Sequence, residues 1–312
     1  MKFFLAPMQG LTGYTVRNAF HHHFDYIDKY YTPFIPAAKR MNAKIKRDID
    51  PVNNDGITLI PQAMSIVADE VIDLHRQLVP YGYDEINVNL GCPSGTVVSK
   101  KRGSGILAYP DMLDSFLDEL YTKADFPVSI KTRVGFNDDE LWPKLIEIYS
   151  KYPISELTVH PRVQKDFYKN TPRMDDFALA VQKINPDKTI LCYNGDITDT
   201  NSFNALTDCF PEIDEIMIGR GLFANPALIA ELKGISMDKA ELRERLKNWH
   251  DEILSGYLSI FSGEKDAMFR MKEIWAYMYG LFSDSEKLWK KIKKCQTLND
   301  YKSIVRMAFD AF

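Results

Sequence analysis

Cysteine is scarce: Cys92, Cys192, Cys209 and Cys295 are the only four in 312 residues, and no two form a C-x-x-C pair. That spacing fits a reducing cytosol better than a disulfide framework and argues against a structural zinc. Nor does any run approach the roughly 20 uninterrupted apolar residues of a membrane helix. The opening stretch Met1-Lys2-Phe3-Phe4-Leu5-Ala6-Pro7-Met8 stops being apolar at Gln9-Gly10. Arg17 follows without a small-residue cleavage site, so it is not read as a signal peptide. The expectation is a soluble, cytoplasmic protein. Neither charge sign dominates, since 39 basic residues face 43 acidic ones for a net −4. That balance argues against a uniformly cationic nucleic-acid glove and leaves room for a local basic face. Repeats and low-complexity tracts are absent too. What remains is an ordinary globular composition, 45% hydrophobic and 26% charged. A chain of this length holds two domains, or one barrel with an appendage, and can bury a core without covalent staples.

Short apolar or β-branched runs punctuate the first three-quarters: Phe3–Pro7, Tyr26–Tyr31, Thr58–Gln62, Glu85–Asn89, Val128–Thr132, Leu157–His160, Thr189–Asn194 and Glu215–Gly219. Between them lie stretches with helical periodicity, among them Val67–Leu78, Asp111–Leu120, Leu141–Tyr149, Phe177–Ile184 and Ser202–Cys209. Short buried strands alternating with helices read as parallel βα units. Eight of them match a (β/α)8 TIM barrel, with an open doubly wound sheet as the alternative. The polar strand ends decide between the two. Gln62, Asn89, Lys131, His160, Asn194 and Gly219-Arg220 each close a run. A barrel would gather them at one mouth, whereas an open sheet would string them along an edge. The least regular part is Pro51–Ile57.

After about Lys233 the strand-like runs stop. Asp238–Tyr257, Asp266–Phe282, Ser285–Lys294 and Asn299–Phe312 read as helices, with Ser236 as an N-cap, Gly256 and Gly263 as breaks and Ser283-Asp284 as a turn. The division is therefore a barrel over 1–234 and a small helical bundle over 235–312. From Ile235 onward there are 14 basic and 12 acidic residues, so the net negative charge lies in the first part. Lys287, Lys290, Lys291, Lys293 and Lys294 read as a solvated helix face.

The sharpest segment runs from Asn87 through Gly91-Cys92-Pro93 to Val97. Pro93 fixes its own φ and biases Cys92 away from the helical region, presenting the thiol at a rim. Cys192 and Cys209 read as core thiols. Asn194-Gly195-Asp196 and Gly219-Arg220-Gly221 end the last two strands with glycines, where barrels commonly offer backbone N–H groups to a phosphate. Lys131 in an otherwise apolar strand must be paired or face the open mouth. His160 ends its strand in the same way, and His21-His22-His23 reads as an exposed helical stretch and not a metal site. No carboxylate pair or Ser-His-Asp set stands out, which leaves hydrolysis poorly supported.

Taken together, the blocks around Ala6-Pro7-Met8-Gln9-Gly10, Gln62-Ala63, Asn87–Val97, Gly103–Leu107, Lys131–Gly135, His160-Pro161-Arg162, Asn194–Ile197 and Gly219–Gly221 resemble the tRNA-dihydrouridine synthase family. The resemblance spans the barrel in order, and the Asn-Leu-Gly-Cys-Pro-Ser block is its most specific part. It implies an FMN-dependent oxidoreductase using NADPH, with tRNA as partner and no metal. It places Pro7, Met8, Gln9, Gln62, Lys131, His160, Asn194, Gly195, Asp196, Gly219 and Arg220 around the flavin, and Cys92 as the acid that protonates C5 of a uracil whose C6 receives hydride. Asn89, Arg133, Arg162 and the basic loop Lys100, Lys101 and Arg102 would contact RNA, as would the helical region. The alternatives are an FMN barrel enzyme acting on a small pyrimidine, and a tRNA-binding paralogue without catalysis.

Overall fold

The protein is described from a computed structural model covering residues 1–37 and 40–312. Ten strand segments pair in parallel: β1 (Lys2–Leu5), β2 (Lys29–Tyr31), β3 (Ile35–Pro36), β4 (Leu59–Ile60), β5 (Gln62–Met64), β6 (Ile86–Leu90), β7 (Val128–Gly135), β8 (Glu156–Val163), β9 (Ile190–Tyr193) and β10 (Glu215–Ile218). They make eight staves, because β2 and β3 are halves of one stave and β4 and β5 halves of the next. Pro61 causes the second interruption by removing a ladder donor. The staves on either side stay joined across the gap: Gln62 N–H donates to Thr32 Oγ1 at 2.9 Å on one side, and Asn87 N–H to the Pro61 carbonyl at 2.9 Å on the other. β2 and β3 pair with β4 and β5, β5 with β6, and so on round to β10, which pairs with β1. The ring closes. The open-sheet alternative is excluded, and each apolar run of the sequence lies on its own stave.

The connections carry α1 (Tyr14–His23), α2 (Ala43–Ile49), α3 (Ala68–Leu78), α4 (Gly95–Val98), α5 (Pro110–Lys123), α6 (Trp142–Lys151), α7 (Met174–Lys183), α8 (Thr200–Cys209) and α9 (Arg220–Ala224). Their apolar faces and the outward residues of the staves share one continuous core. The irregular Pro51–Ile57 begins with a single 3-10 turn at Pro51–Asn53, and the helix of that unit is the preceding α2. Beyond α10 (Leu228–Leu232) come α11 (Lys239–Ile260), α12 (Glu264–Met278), α13 (Ser285–Lys294) and α14 (Leu298–Asp310).

Two local expectations are corrected in this last region. Asp238 and not Ser236 caps α11, its side chain accepting from Glu241 N–H at 2.8 Å. Gly256 does not break that helix but lies inside it where α11 crosses α1: a Cβ there would sit 2.2 Å from Thr15 Cγ2. Cys209 is likewise exposed and not core: it is the last residue of α8, whose buried residue is Leu206. His22 and His23 are on α1 as read, yet both ring nitrogens meet Glu252 of α11, at 2.9 and 2.8 Å.

The barrel lumen is divided. Phe4, Ala6, Tyr31, Ile60, Cys192 and Met217 form an apolar cluster between staves on one side. On the other side the inward positions are polar: Asn87 and Asn89 on β6, Ser129 and Lys131 on β7, Thr158 and His160 on β8. Their intervening neighbours Val88, Ile130 and Val159 are fully buried in the outer core. Period-two alternation with the polar side facing inward builds a site inside a barrel.

Candidate active site

A cleft of ≈ 390 Å³ opens at the strand C-termini, within the range of small-molecule sites. Its base is a hydrogen-bonded ladder across three staves. Asn87 Nδ2 donates to Ser129 Oγ at 3.0 Å, Gln62 Nε2 to Asn87 Oδ1 at 2.8 Å, and Asn89 Nδ2 to Gln62 Oε1 at 2.7 Å. The chain leads to the cysteine: Asn89 Oδ1 accepts from the N–H groups of Gly91 and Cys92 at 3.1 and 2.9 Å. Gln62 is thus fully buried and absent from the cleft lining, fixing Asn89 in place from beneath.

Cys92 is half-buried and lines the cleft. Its carbonyl accepts from Ser104 N–H at 3.1 Å and Ser104 Oγ at 2.8 Å. Gly103 permits that contact: its φ is +55°, and a Cβ there would lie 2.8 Å from the Cys92 oxygen. Gln164 Nε2 donates to the Pro93 carbonyl at 3.0 Å, and Arg133 Nε to the Gly91 carbonyl at 3.0 Å. Burial raises the Cys92 thiol above its ordinary range, outweighing the Ser94 N–H and the nearby Arg133 and Lys131. The group is therefore a protonated thiol at neutral pH, fit to give a proton.

The opposite side is cationic. Lys131 Nζ donates to Asn194 Oδ1 at 2.5 Å, and Asn194 Nδ2 is held by the Met217 carbonyl at 2.7 Å. Among the described residues no carboxylate pairs with Lys131, and burial, reinforced by Arg133, pulls its pKa down to about 7. A desolvated amine without an anion fits a ligand that brings negative charge. Next to it Arg162 donates to both oxygens of Asp196, and Arg220 donates to Asp196 Oδ1 at 2.5 Å. Burial would raise the Asp196 carboxyl, but the two arginines prevail and hold it below its usual range. Arg162 Nη1 also faces His160 Nε2 at 3.1 Å, which makes that nitrogen the acceptor. Burial and the charges of Arg133, Lys131, Arg162 and Arg220 keep His160 neutral.

Of the sequence-derived residues, Pro7, Met8, Gln9, Lys131, His160, Asn194, Gly195, Asp196, Gly219 and Arg220 all line this one cleft, together with Cys92, Asn89 and Arg133. Arg162 is not at the surface: it is 1% exposed and also donates to the Asn170 carbonyl at 2.5 Å. Arg133 is comparably committed, to the carbonyls of Gly91, Val163 and Phe167. Lys100 and Lys101 are exposed on the cysteine loop, while Arg102 pairs with Glu70 at 3.0 Å. Four aromatic residues of the lining escaped the sequence reading: Phe34, Phe167, Tyr168 and Tyr277. Phe167 and Tyr168 had a readable signal, two adjacent aromatics in a charged barrel loop, now 46% and 51% exposed. Tyr168 lies 4.7 Å beneath the Arg220 guanidinium. Tyr277 had none, since it comes from α12.

The sequence model of the dihydrouridine synthase (Dus) family matches residues 4–311. The "tRNA-dihydrouridine synthase B" of Pasteurella multocida is 26% identical over 293 residues, which cover 90% of this chain and 84% of that protein. A "probable tRNA-dihydrouridine synthase" of Staphylococcus aureus is 31% identical over 203 residues, 64% of this chain, and the chain spans only 58% of that relative's length. Among solved structures, morphinone reductase superposes with a TM-score of 0.53 at 11% identity, covering 77% of this chain and 88% of its own. The old yellow enzyme of Trypanosoma cruzi gives 0.51 at 8%, covering 80% and 94%. These two share the barrel fold. With the family match extending over nearly every residue, the chain belongs to the dihydrouridine synthase family.

Proposed function

We propose that the protein reduces the C5–C6 bond of particular uridines in tRNA, using FMN recharged by NADPH. The observation that carries this reading is geometric: the Cys92 thiol faces the same cleft as Lys131, whose amine is bonded to Asn194 and, among the described residues, to no carboxylate. FMN, when bound, supplies the hydride for uracil C6. The donor set suits that group: Lys131 offers a cation to an electron-rich ring edge, and His160, Arg220 and the glycine loops at Gly195 and Gly219 suit the ribityl and phosphate end. Pro7, Met8 and Gln9 would flank the ring. Gln62 and Arg162 act as positioning residues, the first through Asn89 and the second through Asp196 and His160.

Asn89 would orient the base by hydrogen bonding. Cys92 holds the proton destined for C5, and burial keeps it there at neutral pH. The target base must leave its stack, which is least costly in a loop. Residues 1–234 would carry the chemistry, and 235–312 with Lys100, Lys101 and Arg102 would hold the RNA backbone, in the cytoplasm where tRNA resides. The test is nucleoside analysis of tRNA from cells lacking the protein. Loss of dihydrouridine at defined positions is expected, and an unchanged content overturns the proposal. Purified protein should be yellow and release FMN on denaturation. Equal reduction of free uridine and tRNA would favour a small-pyrimidine enzyme instead.

A further inference from the structure

We propose that α12 supplies an edge of the cleft that guides the RNA strand: Tyr277 stacks on the nucleotide flanking the extruded base, and Arg270 takes a backbone phosphate of the same single-stranded segment. The inference rests on the tRNA reading above and deepens it, assigning residues outside the barrel to substrate selection. Tyr277 belongs to the cleft lining although α12 follows the last stave. It is half-buried against Phe223 of α9, ring centroids 6.0 Å apart, which fixes its place on the rim beside Arg220. Burial chiefly holds its phenol above the ordinary range, with Tyr168 adding to the effect and Arg220 opposing it. The ring therefore acts as a neutral aromatic surface.

Arg270 lies seven residues earlier on the same helical face, about 10.5 Å along the axis. The orientation of that face is not free, because Met271, Ile274, Trp275 and Met278 are buried in the bundle. Arg270 reaches back to the barrel at Gly10, where a Cβ would sit 2.9 Å from its Nη1 and where φ is +83°. So the guanidinium abuts the end of the Pro7–Gln9 loop. Its ion-pair partner is Glu273 at 2.8 Å, and both are substantially exposed. Such a pair is weak and readily yields to a phosphate, which accepts from the guanidinium fork. An aromatic face with an arginine one short stretch away is the chemistry by which unstacked nucleic-acid strands are held.

The experiment uses flavin-loaded protein and tRNA lacking dihydrouridine, comparing wild type with Tyr277→Ala, Tyr277→Phe and Arg270→Gln. Tyr277→Ala should raise KM for tRNA by about 10- to 100-fold, more than kcat falls, whereas Tyr277→Phe, which keeps the ring, should stay within about twofold of wild type. Arg270→Gln should lower the slope of log Kd against log salt by a little under one unit. An unchanged KM in Tyr277→Ala with an unchanged salt slope in Arg270→Gln overturns the inference. Loss of bound flavin from Tyr277→Ala overturns it too, by assigning the ring to the cofactor. Failure of the parent reading shows separately, as wild-type protein that reduces no tRNA uridine, and it takes this inference with it.

Discussion

Lys131 and Cys92 sit in one cleft, yet burial drives their proton affinities in opposite senses. Desolvation disfavours whichever form is charged, so the lysine is pulled toward neutrality and the thiol away from thiolate. The lysine's value has a consequence for pH. With a folded pKa of about 7 against an ordinary value near 10.4, the unfolded chain binds more protons between those limits. Stability of the flavin-free protein from this group therefore rises with pH across that window and is flat below it. Binding an anionic cofactor restores the charge on the amine, so FMN uptake at pH 8 should be coupled to proton uptake. Calorimetry in buffers of different ionisation enthalpy should detect it, and Lys131→Met should abolish it. For Cys92→Ala, reduction of tRNA should fall by about two to four orders of magnitude while flavin remains bound. Retained tRNA reduction in single-turnover assays would remove the thiol from the chemistry.

Side-chain hydrogen bonds between elements tie down the loops that frame the cleft. The cysteine loop is closed on itself by Ser104 and tied by Arg133 to β7 and by Gln164 to the segment after β8. The Met8 loop is tied in a comparable way: Thr12 Oγ1 accepts from Met8 N–H at 2.9 Å, and the fully buried Arg17 donates to the Thr12 carbonyl at 2.7 Å. The crossing of α1 with α11 depends on Gly256. Gly256→Ala would gain about 1 kcal/mol of helix propensity at an open position, but here its Cβ meets Thr15 Cγ2 at 2.2 Å. Overpacking of this kind costs about 1–3 kcal/mol, so the net effect should be destabilising. Urea denaturation should show a lower midpoint, and an unchanged or higher midpoint would mean the helices separate without penalty.

For the molecule as a whole, charge is unevenly placed: Lys287, Lys290, Lys291, Lys293 and Lys294 all point to solvent on α13, whose Leu288 and Ile292 face inward. Under the tRNA reading, affinity should fall steeply as salt rises, and replacing Lys290 and Lys291 by Gln should flatten the slope by about 1.5 units if α13 touches the backbone. An unaltered slope would leave this helix as a solvated face. The barrel count, the positions of its staves and most of the cleft residues follow from sequence, because parallel staves are short apolar runs and strand C-termini share one mouth. Even the polar-inward alternation of Asn87-Val88-Asn89 and Ser129-Ile130-Lys131 was there to be read. The same local information does not distinguish a polar residue that reaches the cleft from one spent inside the wall. Gln62 and Arg162 differ from Asn89 and Arg220 only in what neighbouring staves present to them. Nor does it show that α12 returns to the mouth, since Tyr277 and Arg220 meet only through packing between residues 57 positions apart. Periodicity and turn chemistry act over a few residues and are written in the chain; convergence on a site depends on long-range packing, which only the folded molecule decides.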